Sequence, residues 1–318
     1  MSVVESSAEL TAASLVAGPA SLDADEQSAK RLGAYLTLPT QILLAFIVIF
    51  PLLMELYISF SSWTPLDGKS WVFAYRYWAG LDNYIEVIAT PRFWQSIGRT
   101  LLLMGVCVPI ELLLGLGLAV LFVAEFRGKR LFYSILLIPM MVVPSVAGYM
   151  FFMLFQSGGP INSILSTLSG SSVSIAWLSQ PTLAMLVVMI ADIWQWTPLM
   201  FLILLAGLLG VPEDQMLMAT LLGAGPWARF WLIVLPRIRR ILLIALVIRM
   251  IEIFKIFDTL YILTAGGPGI STETISVYIY KITMQELQWS YVATIALIIL
   301  IVLSAIAVPA IKRFAAAR

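Results

Sequence analysis

Long apolar runs separated by short polar stretches dominate the chain. A helix needs about 20 mostly apolar residues to cross roughly 30 Å of hydrocarbon. Six runs meet that length, at about 36–60, 98–124, 131–155, 181–209, 241–263 and 290–311. The pattern predicts an all-α, polytopic membrane protein with six transmembrane helices. Pro51, Pro109, Pro139, Pro144 and Pro198 fall inside these runs. They would break soluble helices, but in a bundle the neighbouring helices satisfy the backbone groups that proline frees.

One apolar stretch does not fit this scheme. The loop 211–236 carries Met216, Leu217, Leu221, Leu222, Trp227, Phe230 and Trp231, yet Glu213, Asp214, Arg229, Arg237, Arg239 and Arg240 in and beside it make it a poor span. Pro212 at the entrance, and Glu213 and Asp214 in the first turn, suit the start of a helix. Gly223 suits its stop. A second short helix is expected from Pro226 to just before Pro236. The loop is thus predicted as two short helices around a Gly-Ala-Gly-Pro break. Its greasy side either packs on the ends of the spans or enters a groove on a partner.

Lysine and arginine placement orients the chain. Lys30, Arg31, Arg127, Lys129, Arg130, Arg229, Arg237, Arg239, Arg240, Lys312, Arg313 and Arg318 fall on one side of the expected membrane. Lys69, Arg76, Arg92, Arg99 and Lys281 fall on the other. The richer side is the cytosolic one, so both termini and the loop 211–236 are expected in the cytosol. Residues 1–30 are rich in Ala and Ser with five acids and one base, and they lack the basic start and apolar stretch of a signal peptide. They are expected to be a disordered cytosolic tail ahead of a membrane domain over 31–318. The opposite side holds aromatic residues between 61 and 97, which suit an interfacial belt or a docking surface.

Composition narrows the chemistry. The chain is 61% hydrophobic and 12% charged, against about 25% charged in a soluble domain. A net charge of +1 gives no argument for nucleic acid. There is no histidine and one cysteine, Cys107, which excludes His-dependent triads, His-ligated metals and a disulfide framework. No G-x-x-x-x-G-K-[ST] stretch occurs, so the chain has no phosphate cradle for ATP. It is expected to be no enzyme, with no cofactor or metal of its own.

The fifth run, "ILLIALVIRMIEIFKIFDTLYIL", places Arg249, Glu252, Lys255 and Asp258 three residues apart. Each charge at mid-bilayer costs about 2.5–3.5 kcal/mol on insertion scales. At this spacing each can neutralise its neighbour, or some members can line a translocation path. In the fourth run Asp192, Gln195 and Trp196 form a polar-aromatic group. A ring face with carboxylate and amide partners suits a sugar or polyol. Glu55 and Glu111 suit contacts to kinked backbone or to a neighbouring helix.

The loop also carries a resemblance. Leu217-Met218-Ala219, then Gly223, then Ile233-Val234-Leu235-Pro236 is spaced like the "EAA" loop of ABC importer permeases. "AGLDNY" (79–84), "PRFWQSIGRT" (91–100), "SGGPINSIL" (157–165), "DIWQWTPLMFLILLAGL" (192–208) and "FDTLYILTAGGPGISTETISVYIY" (257–280) resemble the sugar-importer branch of that family, in order and at family spacing. The last stretch resembles the first of two permease types in the maltose, trehalose and glycerol-phosphate group. The family's Glu and first Ala fall at Leu217 and Met218, and its usual Asp at Leu222, so both acids are replaced by leucine.

The resemblance implies a permease domain over 31–318 in a bacterial cytoplasmic (inner) membrane. It implies a second permease subunit, two copies of a cytosolic P-loop ATPase that binds ATP and Mg, and an external solute-binding protein. The loop would dock on the ATPase through Glu213, Leu217, Met218, Ala219, Gly223, Ala224, Leu235 and Pro236. The substrate path would involve Asp192, Gln195, Trp196, Glu252, Lys255 and Asp258. Two other readings stand beside this one. A stand-alone secondary transporter would use the intramembrane charges for ion coupling and would show internal repeats. A scaffold subunit would conduct nothing. Nothing in these residues separates a neutral from an anionic solute.

Overall fold

The computed structural model describes residues 19–316, which are helical with short connections and contain no strand. Helix α1 (Pro19–Ser59) leads through two short 3-10 turns to α2 (Asp82–Ala89) and α3 (Pro91–Val123). Then come α4 (Lys129–Met141), α5 (Pro144–Phe155), α6 (Pro160–Ser169) and α7 (Pro181–Leu209). The loop holds α8 (Glu213–Leu221) and α9 (Pro226–Arg229), followed by a π turn over 230–234. Last are α10 (Leu235–Phe254), α11 (Asp258–Thr264), α12 (Ile275–Met284) and α13 (Trp289–Ala316). Of the tail expected to be disordered, residues 1–18 lie outside the described residues. Residues 19–30 are the first turns of α1, where proline leads a run of Ala, Asp, Glu, Gln and Lys.

Two expected spans are broken. Between α4 and α5, Val142 and Val143 are extended, with ψ of 130° and 135°. Pro144 disfavours helical backbone at the residue before it, which places the break there. The arms Lys129–Met141 and Pro144–Ser169 are bent by 95°. The fifth run breaks between Phe254 and Asp258. The carbonyls of Ile256 and Phe254 accept long hydrogen bonds from the Thr274 and Ser276 hydroxyls, at 3.4 and 3.5 Å.

Among the described residues three helices are long and apolar enough to cross a membrane unaided: Leu32–Ser59, Pro91–Val123 and Pro181–Leu209. The bent pair would make a fourth. The fifth and sixth runs do not meet that measure. Helix α10 carries Arg237, Arg239, Arg240, Arg249 and Glu252 and stops at a break, and the apolar part of α13, Trp289–Ala305, is short.

Helices α3 and α7 form the spine. A Cβ at Gly115 would lie 2.7 Å from Met200 Cβ, so only glycine allows this approach. Leu103, Cys107, Val188, Ala191, Ile253 and Leu260 fill the centre between α3, α7, α10 and α11. Helix α5 lies equally close on α11, where a Cβ at Gly148 would come within 2.6 Å of the Thr259 carbonyl oxygen. The face of α1 from Leu36 to Phe50 stays exposed, while its last turns meet α13.

At the end of the bundle away from the loop, the motif residues act as anchors. Asn83 donates Nδ2 to the carbonyls of Ser59 and Ser61, at 2.8 and 2.7 Å. Asn162 donates to the carbonyls of Ser157 and Ile175 and accepts from Trp177 Nε1. Trp63 is buried and bonds the Lys69 carbonyl, whereas Trp78 and Trp94 are exposed. Glu273 is buried beneath Arg92, which donates Nε at 2.8 Å and Nη2 at 3.0 Å, and Lys281, which donates Nζ at 3.0 Å.

Candidate functional site

The candidate functional residues fall in two places, the loop surface and the charges around the helix breaks. In the loop, α8 starts after Pro212 and ends at Leu221, with Leu222 as its cap and Gly223 at φ +83°. The Ala224 amide bonds the Ala219 carbonyl at 2.9 Å, closing the turn. Left-handed backbone at Gly223 suits glycine and strains other residues. Arg229 donates Nη1 to Thr220 Oγ1 at 2.7 Å, which ties the second helical piece to the first.

The second helix differs from the expectation that it ends before Pro236. It runs through the π turn 230–234 into α10, with the Leu235 amide bonding the Phe230 carbonyl. The wider π register absorbs a proline, which lacks the donor that a regular turn needs. Leu235 and Pro236 are thus the first residues of α10.

The greasy side of the loop divides into two sets. Met216, Phe230, Val211 and Val234 pack against Phe122, Phe201, Leu204 and Ile238, on the ends of α3, α7 and α10. Ala219 is buried. Leu217, Met218, Leu221, Leu222 and Trp227 turn outward, with Leu221 83% and Leu222 84% exposed. Between the loop and the bundle lies a groove of about 370 Å³ lined in part by Val123, Leu209, Met216 and Phe230. Packing on the spans accounts for the first set; in the second, Trp227 meets the rings of Phe230 and Trp231, and Leu217, Met218, Leu221 and Leu222 stay exposed.

In the membrane run, the charges do not simply pair along the helix. Arg249 is buried and donates Nε to Glu111 Oε2 at 2.6 Å and Nη2 to Glu111 Oε1 at 3.0 Å. The same Nη2 meets Asp192 Oδ2 in a short contact. The Trp196 ring lies 5.2 Å from the Arg249 guanidinium carbon. Glu111, Asp192 and Arg249 therefore join α3, α7 and α10, and Trp196, one turn from Asp192, covers the cation. The i,i+3 pairing does hold for Glu252 and Lys255, at 3.0 Å on an open face. Asp258, in the first turn of α11, is exposed and has no ion pair among the described residues.

Gln195 is buried at the meeting of the two breaks. Its Nε2 donates to the Val142 carbonyl at 2.9 Å, and its Oε1 accepts from Thr259 Oγ1 at 3.3 Å. The residues picked out from sequence thus separate. Asp192, Gln195 and Trp196 sit inside the helix packing, and Glu252, Lys255 and Asp258 sit on an open face beside the second break. Glu111 had a signal, a carboxylate within an apolar run, but its partner lies 138 positions away. A group of rings gave no signal: Phe257, Tyr261 and Tyr280 lie 4.9 to 5.1 Å apart and are half-buried.

Residues 111–316 match the family described as "Binding-protein-dependent transport system inner membrane component". The trehalose/maltose transport system permease protein of Thermococcus litoralis is 34% identical, over 75% of this chain and 82% of that protein. The trehalose transport system permease protein of Mycobacterium tuberculosis is 32% identical, over 91% and 90%. The sulfoquinovosyl glycerol transport system permease protein of Agrobacterium fabrum is 33% identical, over 84% and 85%. A solved chain of a bacterial ABC transporter that imports the acidic polysaccharide alginate superposes with a TM-score of 0.75 at 20% identity, covering 91% of this chain and 96% of that one. At that identity the likeness speaks for the fold alone.

Proposed function

The chain belongs to the family of binding-protein-dependent transport system inner membrane components, and from that premise we propose that it imports a carbohydrate or related polar solute. It is the non-enzymatic, multi-pass permease subunit of an ABC importer in the inner membrane. Its relatives named for trehalose, maltose and sulfoquinovosyl glycerol favour a sugar-like solute. Six spans are proposed, with α4–α5 and α10–α11 each crossing as a broken helix and α13 as the last. In this arrangement the loop end and both termini face the cytosol, following the basic residues on that side.

The observation that carries this reading is the outward set on α8. Leu217, Met218, Leu221 and Leu222 are apolar and exposed just ahead of the Gly223 turn, as suits a helix entering a partner's groove. The partner is an ATPase subunit that binds ATP and Mg; two copies serve this permease and a second, different permease, and an external binding protein delivers solute. Ala219 and Ala224 close the turn, Glu213 opens α8, and Leu235 and Pro236 pass its motion into α10. The leucines in place of the family's acids make this docking more apolar.

The test is purification of the chain from its native membrane in mild detergent, beside a Gly223→Pro, Leu217→Asp double variant. Wild type is expected to bring down a second permease and a P-loop ATPase, and the variant to lose the ATPase while keeping the permease. Wild type that purifies alone and transports without ATP would favour a stand-alone transporter.

A further inference from the structure

The cations at the end of the bundle away from the loop outnumber their acids. Arg92 is engaged by Glu273 and Glu286, and Lys281 by Glu273. Arg99, two turns along α3 from Arg92, has no ion pair among the described residues. Its Nη1 reaches only the Glu273 carbonyl, at 3.5 Å, and its Nη2 donates to Gln95 Oε1 at 3.2 Å. Three cations thus stand around two carboxylates, and Arg99 is the one left over.

Beside Arg99 a cavity of about 380 Å³ opens between α3, the start of α7 and the stretch that leads into α12. The Ile275 amide donates to Thr100 Oγ1 at 2.9 Å, which holds that stretch against α3. One end of the cavity is polar, with Arg99, Thr182 in the first turn of α7, and Ser271. The Ser271 hydroxyl is buried and has no hydrogen-bond partner among the described residues, a rare state for a buried polar group. Deeper along the same two helices the wall becomes Leu102, Leu186 and Met189. Leu102 and Leu186 are exposed. Both belong to helices long and apolar enough to cross a membrane, so they face hydrocarbon rather than water.

We propose that this cavity binds an anionic phospholipid from the leaflet on this side, with its phosphate on Arg99 and an acyl chain along Leu102, Leu186 and Met189. The order of the lining, polar at the helix starts and apolar further in, is the order of a lipid from head to tail. A guanidinium presents paired N–H groups that match a phosphate, and basic pockets between transmembrane helices recur as headgroup sites. Arg99 stands at the edge of the apolar run 98–124, where a long cationic side chain reaches headgroup level. A phosphate oxygen also supplies the acceptor that Ser271 lacks. The uncompensated charge favours an anionic lipid over a zwitterionic one, whose head carries its own cation. A free anion would use Arg99 and leave the apolar wall bare. The site lies away from the break between α10 and α11 and holds whatever solute the importer carries.

The experiment uses the whole importer, purified with its partner subunits and placed in phosphatidylcholine nanodiscs. A trace of phosphatidylglycerol with a photoactivatable group high on one acyl chain is added, or the matching phosphatidylcholine probe. After irradiation, mass spectrometry of the peptides locates the label. The phosphatidylglycerol probe is expected to label α3 and α7 around Leu102, Leu186 and Met189 about tenfold more than the phosphatidylcholine probe. Arg99→Gln should reduce that labelling about tenfold, and Arg99→Lys, which keeps the charge without the fork, should retain about a third of it. Unlabelled phosphatidylglycerol should compete, and millimolar glycerol phosphate, a soluble head without chains, should not. Equal labelling by the two wild-type probes would overturn the anionic site and leave only boundary lipid, a result that needs no variant to fold. Competition by glycerol phosphate would show a site for a free anion instead. Label absent from both peptides in the assembled importer would show that another subunit covers the cavity, and would overturn the lipid site as well.

Discussion

Two ion clusters hold this bundle together, and they are built on different terms. In the centre, Glu111, Asp192 and Arg249 are each 2% exposed or less and come from three helices. At the far end, Glu273 is fully buried, but Arg92 and Glu286 around it are 31% and 39% exposed. The central cluster has two carboxylates for one guanidinium; the far one has Arg92 and Lys281 for Glu273 and Glu286. In the second cluster Arg92 and Glu286 stay open to solvent when a partner is lost, and in the first no member does. The difference teaches that similar distances carry different energetic weight, set by what remains when one partner is removed.

The largest effect is therefore expected at Arg249. Arg249→Met should destabilise the chain by about 3–5 kcal/mol, because it leaves two buried carboxylates with no cation. Thermal unfolding of the purified complex in detergent measures this. The triple variant Arg249→Met, Glu111→Leu, Asp192→Leu should recover most of the loss, since well-packed apolar residues of similar size often replace a buried ionic group without penalty. A triple variant as unstable as the single one would show that the cluster contributes something beyond charge compensation, and the contrast with the far end would then need another cause.

A smaller effect is expected at Glu273. Glu273→Gln keeps one acceptor for Arg92 and Lys281 and should cost about 1–3 kcal/mol. The pH dependence gives a sharper reading. Burial pushes the Glu273 carboxyl up, but hydrogen bonds from Arg92 and Lys281 outweigh it and hold the group below the usual carboxylate range. A carboxyl whose folded pKa is depressed contributes stability that is present above its unfolded value, near 4.5, and is lost as pH falls through the folded value. The melting temperature of wild type should thus fall in that acid window, and Glu273→Gln should flatten the fall. An identical slope in both proteins would remove the far cluster from the acid response.

These contrasts also mark what a single sequence shows. The run 181–209 is helix α7 to the residue, and the run 98–124 lies within α3 plus one residue, because length and apolarity are local properties. The Gly223 turn was equally legible, since one residue type suits left-handed backbone there. The breaks were not. In sequence Pro139 and Pro144 look alike, two prolines inside an apolar run, and only the bundle determines that the chain turns by 95° at the second of them. The partners of Arg249 were hidden for the same reason: its spacing to Glu252 is visible, but Glu111 and Asp192 stand 138 and 57 positions away on two other helices. Gln195 carried the chemistry of a solute ligand, and its actual bonds to Val142 and Thr259 depend on two breaks that no periodicity announces. Tyr280 joins Phe257 and Tyr261 through a chain reversal, which leaves no spacing to read.

The smallest effect separates the central cluster from its neighbour on the same stretch of chain. Lys255→Gln removes the partner of Glu252, a pair at 3.0 Å that is as short as many of the contacts within the clusters. Its exposure predicts a cost of about 0–1 kcal/mol, because an open pair gains little over its two hydrated charges. In the same unfolding measurement it should be hard to tell from wild type, although Arg249 lies only six residues earlier. A loss of 3 kcal/mol or more would mean that Lys255 and Glu252 are closed off in the assembled importer, by a second permease subunit covering this face. Such a result would turn the open side of the break from a water-facing surface into an interface.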